Sequence, residues 1–167
     1  MTPRPYLITL RIMSDLDETD RRLLDALVRD ARATTVALAS TLGLSRNTVQ
    51  ARITRLENHG AFLSFERRIN PAALGYPLTS FVHIHVQQKK LGEITTALAR
   101  IPEVVEAHGL SGTADILATV VARGAEDLFR VHGAILDIDG IERADTSLSM
   151  AELIPHRMRP LLGSWEA

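Results

Sequence analysis

The sequence predicts an α+β chain in two parts: a winged helix-turn-helix at the front and a ferredoxin-like βαββαβ domain behind it. Three observations carry that prediction. From Leu23 to Leu56 apolar side chains recur at helical spacing, interrupted at Gly43. From Phe81 onward, runs of period two alternate with runs of helical period. Between these regimes stand two breakers, Asn70-Pro71 and Gly75-Tyr76-Pro77, and the domain boundary is placed between them. A chain of 167 residues has room for two small domains. The expected division is an extension over 1–13, the helix-turn-helix over 14–62, a linker strand over 63–76, the ferredoxin-like domain over 77–155 and a tail over 156–167.

In the front part, Asp17 is a good N-cap, and Glu18 and Asp20 suit the first turn of a helix. Leu23, Leu24, Leu27, Val28 and Ala31 follow as one buried stripe. A second helix starts at Thr34 or Thr35 and carries Val36, Leu38, Ala39 and Leu42. Gly43 supplies the left-handed turn residue, and Ser45 caps the helix that follows. On that helix Val49, Ile53 and Leu56 fall in one narrow sector and point to the core. Asn47, Gln50, Ala51, Thr54 and Asn58 fall opposite them. That opposite face is poor at burial and rich in groups that hydrogen-bond base edges and phosphates. A short helix, a glycine turn and a capped, polar-faced helix form the arrangement whose second helix enters the DNA major groove. After Gly60, residues Phe62–Ile69 read as a hairpin or strand with paired arginines, either a wing over the phosphate backbone or a link between domains. Residues 1–13 read as an extension, or as a strand over Tyr6–Ile12.

In the back part, Phe81–Val86 alternates, which puts Val82, Ile84 and Val86 on one face of a strand. Leu91, Ile94, Leu98 and Ile101 continue at helical spacing to Pro102. Strands over Val104–Leu110 and Asp115–Ala122 flank the turn Ser111-Gly112-Thr113-Ala114. Ala125–Leu136 is helical through Leu128, Phe129, His132 and Ile135, and Asp139-Gly140 turns the chain into a last strand, Ile141–Met150. Two helices cover one face of a four-stranded sheet. The other face must be buried elsewhere, most simply on a second copy, so a dimer is expected.

Composition narrows the chemistry. Apolar residues make up 46% and charged residues 23%, the balance of an ordered chain. With no cysteine there is no disulfide, Cys-ligated zinc or thiol nucleophile. No apolar run approaches the roughly 20 residues of a membrane helix, and the arginine-interrupted RPYLITLRIM is too short for a secretory signal, which places the protein in the cytosol. The net charge of -1 is unevenly spread: residues 1–76 hold 11 Lys/Arg against 8 Asp/Glu, and residues 77–167 hold 8 against 12. A basic front suits a polyanion, although a solvated face gives the same count. His83-x-His85 has metal-ligand spacing along a strand but no third ligand nearby, and packing or interface histidines explain it better. Gly109–Thr113 lacks the Gly-Lys-Ser/Thr ending of a phosphate loop. No Ser/His/Asp set has catalytic spacing. Neither enzyme activity nor any metal or other cofactor is expected.

At this level of detail the sequence resembles the Lrp/AsnC (feast/famine) family of transcription regulators over about residues 15–152. The resemblance rests on Leu16-Asp17-x-x-Asp20, Asp30-Ala31-Arg32, Leu38-Ala39 and Leu44-Ser45-x-x-x-Val49-x-x-Arg52-Ile53-x-x-Leu56-Glu57-x-x-Gly60. It continues with Ile69-Asn70-Pro71-x-x-Leu74-Gly75, Gly112-x-x-Asp115-x-Leu117 and Ile141-x-x-x-x-Thr146-x-Leu148. It implies homodimers on pseudo-palindromic double-stranded DNA, often assembled to tetramers or octamers, and a small effector, commonly an amino acid, bound between dimers. By the same resemblance the backbone of Ser111, Gly112 and Thr113, the carboxylate of Asp115 and the hydroxyl of Thr146 are effector-site candidates. An α-amino acid needs an anionic partner and hydrogen-bond donors, which this set offers; equally, Gly112 and Asp115 suit a plain tight turn. Ala114 and Ala144 stand where the family often has an aromatic and a hydroxyl residue, so the usual hydrophobic effectors are not assumed.

The reading is therefore a sequence-specific DNA-binding regulator. Asn47, Gln50, Thr54 and Arg46 are its base-reading candidates. Ser45 is the helix cap at the DNA-facing end, and Arg32, Arg55 and Arg68 are the phosphate contacts. Two alternatives are kept: an effector-independent DNA-architectural protein, and a haem-pathway decarboxylase of like architecture in which His83, His85 or His108 meets a tetrapyrrole.

Overall fold

The computed structural model describes residues 16–163, in two compact units. The expected extension over 1–13 lies outside the described residues. The first unit comprises the described chain to Ser64 together with the segment from Pro155, and the second is Phe65–Ile154.

The first unit is built on three helices: α1 Glu18–Arg29, α2 Thr35–Leu42 and α3 Arg46–Asn58. Each begins on a capping side chain. Asp17 and Asp20 form a reciprocal capping box on α1. The Thr34 hydroxyl accepts the Ala37 N–H on α2, and the Ser45 hydroxyl accepts the Thr48 N–H on α3. Gly43 closes α2 at φ +68°, a left-handed conformation that a β-carbon disfavours. Leu23, Leu38, Ala39, Leu42, Val49 and Leu56 form the core, with Leu24, Leu27 and Ile53 packed on its edge. Two expected core positions are exposed: Val28, at 52%, and Val36, at 60%. Ala31 is exposed too, because α1 stops at Arg29 and the chain has left the helix before it.

The expected strand over 62–69 is absent. Phe65–Arg68 and Pro71–Leu74 are short 3-10 turns, so no wing follows α3 among the described residues. A strand needs a neighbour to accept its backbone bonds; here the Ile69 N–H closes locally on the Glu66 carbonyl, and Asn70 caps the next turn.

The second unit is the expected βαββαβ arrangement. Its strands are β1 Leu78–Val86, β2 Val104–Gly109, β3 Ile116–Ala122 and β4 Ile141–Leu148; its helices are α4 Leu91–Leu98 and α5 Ala125–Leu136. The sheet order is β2-β3-β1-β4, antiparallel throughout. Val82, Ile84, Val86, Ile116, Ala118 and Val120 meet Ile94, Leu98, Val131 and Ile135 of the two helices. On α5 the buried positions are Val131 and Ile135, whereas Phe129 is 80% exposed. Among the described residues of this unit no helix covers the opposite sheet face, where register places Phe81, His83 and His85 beside Leu117, Thr119 and Asp145. No described helix is long and apolar enough to cross a membrane.

Gly140, at φ +94°, turns the chain into β4, and a β-carbon there would lie 2.8 Å from Lys90 Cδ and 3.1 Å from Ile94 Cδ1. Gly140→Ala is expected to destabilise the chain by about 1–2 kcal/mol from backbone conformation alone, with the contact adding to it. Urea unfolding followed by circular dichroism measures the loss.

Candidate nucleic-acid interface and effector site

The orientation of α3 is set from beneath. Asp20 is wholly buried at the N-terminus of α1. Arg52 Nη1 donates to Asp20 Oδ1 at 2.8 Å and to both oxygens of Asp17 at 2.7 and 2.8 Å. Arg55 Nη2 donates to the other oxygen of Asp20. The Arg52 hydrogen bond is the main cause that holds the Asp17 carboxyl below its ordinary range, and the same bond raises Arg52. Every polar side-chain atom buried in the described residues has a partner.

With that side engaged, the far face of α3 is bare. Arg46, Asn47, Gln50, Ala51, Thr54 and Asn58 are exposed, while Val49 and Leu56 are buried. The Thr35 hydroxyl of α2 donates to Gln50 Oε1 at 3.4 Å, and the Gln50 amide keeps its N–H donors for a second partner. The Ser45 hydroxyl is engaged with Thr48, so its first role is to cap. The side chains of Arg32 and Arg46 are exposed and contact no charged neighbour among the described residues. Arg55 is different, since its guanidinium is spent on Asp20. Arg68 belongs to the second unit, where its guanidinium lies 5.5 Å from the Phe65 ring centre, and its neighbour Arg67 pairs with Glu106.

The five effector candidates do not form one cluster within a single copy. Ser111, Gly112 and Thr113 are exposed on a turn closed by the Leu110 N–H on the Asp115 carbonyl. The Asp115 carboxylate accepts the Val86 N–H at 2.9 Å and the Gln88 side-chain amide at 2.6 Å, tying the turn to the end of β1. Thr146 sits opposite Val82, on the helix-covered side of β4, where its hydroxyl lies 2.7 Å from His132 Nδ1. Strand rise and spacing put Asp115 and Thr146 about 14 Å apart. One amino acid is too small to span that gap. Ala114 is buried at 4% exposure, so the turn offers no large side chain there.

The histidines are scattered as well. His83 and His85 lie on the open sheet face, and no group of three or more metal-ligating side chains occurs among the described residues.

The contacts that sequence reasoning left without a role are Asp20–Arg52–Arg55, Thr35–Gln50 and His132–Thr146. Only the first had a usable signal: Asp three residues after an Asp cap, and two arginines three apart on the flank of the next helix.

A capped helix-turn-helix with a bare polar face, on one chain with a ferredoxin-like α/β unit, defines a two-domain DNA-binding class. The AsnC-type helix-turn-helix domain matches residues 16–57, and the Lrp/AsnC ligand binding domain matches residues 79–159. The transcriptional regulator AldR of Mycolicibacterium smegmatis is 36% identical over 144 residues, covering 83% of this chain and 84% of its own. E. coli AsnC superposes with a TM-score of 0.79 at 27% identity, covering 87% of this chain and 99% of its own. A feast or famine regulatory protein of M. tuberculosis complexed with L-methionine gives 0.75 at 30% identity, over 86% and 98%. The chain belongs to the Lrp/AsnC family of transcription regulators.

Because the folded pKa of Asp17 is lowered, its pairing with Arg52 stabilises fully above the unfolded value of about 3.9 and is lost as pH falls through the folded value below it. Arg52→Ala is expected to cost about 1–3 kcal/mol at neutral pH. The deficit should shrink between pH 5 and pH 2, as the parent loses the pairing that the variant already lacks. Urea midpoints of both proteins across that range test the sign.

Proposed function

We propose that α3 reads base edges in the DNA major groove and that the second unit pairs two copies and answers a small amino-acid-like effector. The observation that carries the first part is the division of α3. Its apolar side is buried, Arg52 and Arg55 are bonded to Asp20, and Asn47, Gln50 and Thr54 stand exposed with Arg46 at the leading end. Asn and Gln amides match adenine and Arg matches guanine. Arg32 is the best-placed phosphate contact. Arg55 and Arg68 contribute less, because one is paired to Asp20 and the other stacks on Phe65.

Pairing through the open sheet face is supported by Phe81, 40% exposed, amid half-buried neighbours on a face without a helix. The effector class is supported by the related M. tuberculosis protein complexed with L-methionine. The roughly 14 Å between Asp115 and Thr146 favours a site completed by another copy, consistent with higher assembly. The engaged state of Asp115 gives it a second role, since an incoming ammonium would compete with Gln88 and loosen the end of β1. The cytoplasm is the compartment in which such a regulator meets DNA.

Gln50→Ala is expected to lose about 1–3 kcal/mol of discrimination at one base pair and little elsewhere. Arg32→Ala is expected to weaken all duplexes alike and to reduce the salt slope by about 1 per copy bound. Binding titrations over single-base variants and over salt separate the two; uniform loss for Gln50→Ala overturns base reading by that residue. A thermal-shift screen against the twenty amino acids tests the effector. Any ligand found should lose its shift in Asp115→Ala, and an unaltered shift moves the site elsewhere.

A further inference from the structure

The first unit is made from both ends of the described chain. After β4 the chain re-enters it at Pro155, and the short helix α6, Arg159–Leu162, packs against α1. Arg159 Nε donates to Asp25 Oδ1 at 2.9 Å, a contact between residues 134 positions apart. Asp25 is also held by Arg29 at 2.7 Å. Burial works to raise the Asp25 pKa, and the bonds from Arg159 and Arg29 outweigh it, so the carboxyl is held below its ordinary range. Arg159 and Leu162 wall one side of an open cavity of about 760 Å³ whose other sides are α1 and α2. The match to the family's ligand-binding domain ends at residue 159, so most of α6 lies beyond what that domain accounts for.

The two units are thus joined twice, between Ser64 and Phe65 and between Ile154 and Pro155. A single linker leaves two bodies free to reorient. A second crossing whose far end is docked removes part of that freedom. For a paired DNA-binding protein this matters, because its recognition helices must meet half-sites about 34 Å apart. A narrower range of spacings raises the effective concentration of the second helix at the second half-site.

We propose that residues 155–163 are a docked strap which, through Arg159 on Asp25, restrains the helix-turn-helix unit and thereby raises affinity for DNA bearing two half-sites. The inference rests on the DNA-binding and pairing readings above. The strap acts on orientation and touches no base. Its ion pair is partly exposed, with Arg159 at 57% and Asp25 at 27%, which makes it a weak lock that can open. An open strap leaves one crossing tethered at one end only, and the two half-sites then bind more nearly independently.

The test uses the full chain and four proteins: the parent, Asp25→Arg, Arg159→Asp and the double exchange. The probes are a duplex enriched from a random pool by the parent and the same duplex with one half-site scrambled. Each single variant is expected to lose about 10-fold or more on the intact duplex, with half-site affinity unchanged, and the double exchange should restore the intact-duplex affinity. Tryptic cleavage after Arg157, followed by mass spectrometry, should accelerate in the single variants and slow again in the double. Equal loss on both duplexes would assign the segment to local folding of α1 and overturn the restraint. Faster cleavage with no loss on either duplex would overturn it too. If the parent enriches no duplex at all, the DNA-binding reading falls and this inference with it.

Discussion

The wholly buried carboxylate of Asp20 is the constraint on which the DNA-binding unit depends. Six buried apolar side chains form the core of that unit, and apolar contact is non-directional. It holds α3 against α1 and α2 without fixing its rotation. Two guanidinium groups bonded to the two oxygens of one carboxylate do fix it, since such bonds are directional and an unpaired buried charge is costly. Arg52 and Arg55 are three apart on α3, so pinning both sets which stripe of that helix faces inward. The stripe bearing Asn47, Gln50 and Thr54 is then left outward by geometry.

The second unit obeys a simpler constraint. Two helices shield one side of a four-stranded sheet, and the other side keeps Phe81, His83 and His85 in half-exposed rows. Its strand ends are also tied off locally. Asp115 accepts the backbone N–H of Val86 where β1 leaves the sheet, and Glu103, buried at 8% exposure, is bonded by Arg130 at 2.5 Å beside the start of β2. The ends are secured within one copy while the broad face is not, and the proposed pairing of two copies rests on that difference.

Most of this architecture was legible because periodicity reports burial directly. The alternation of Val82, Ile84 and Val86 and the helical run through Leu91, Ile94 and Leu98 depend only on which side of an element meets the core. Local chemistry was legible for the same reason: Asp17, Ser45 and Gly43 act within four residues of themselves. The failures share the opposite cause. Phe62–Ile69 has strand-like composition but no partner strand, and partnering is a long-range fact. Phe129 falls on the wrong side of α5, about 160° around the helix from the buried Val131 two positions on. Asp20 with Arg52, His132 with Thr146 and Arg159 with Asp25 are unions of distant residues, and a single sequence carries no pairing signal for them. The candidate site was legible by residue type along α3, and much less so around Asp115, where the role came by resemblance and the hydrogen bonds came from the fold.

Charge counting also changes meaning once contacts are known. Residues 43–68 carry Arg46, Arg52, Arg55, Arg67 and Arg68 against Glu57 and Glu66, an apparent excess of +3. Arg52 and Arg55 are committed to Asp17 and Asp20, Arg67 to Glu106, and Arg68 stacks on Phe65. Arg46 alone of the five is left with no such engagement, and Arg32 adds a second exposed cation from the loop before α2. Two uncommitted guanidinium groups at and beside α3 release few counterions there. On the proposed pairing, affinity would come from doubling the unit and from holding both copies at the right spacing. Under that proposal the uncovered sheet face and the second chain crossing would supply by geometry what the sparse free charge of α3 does not.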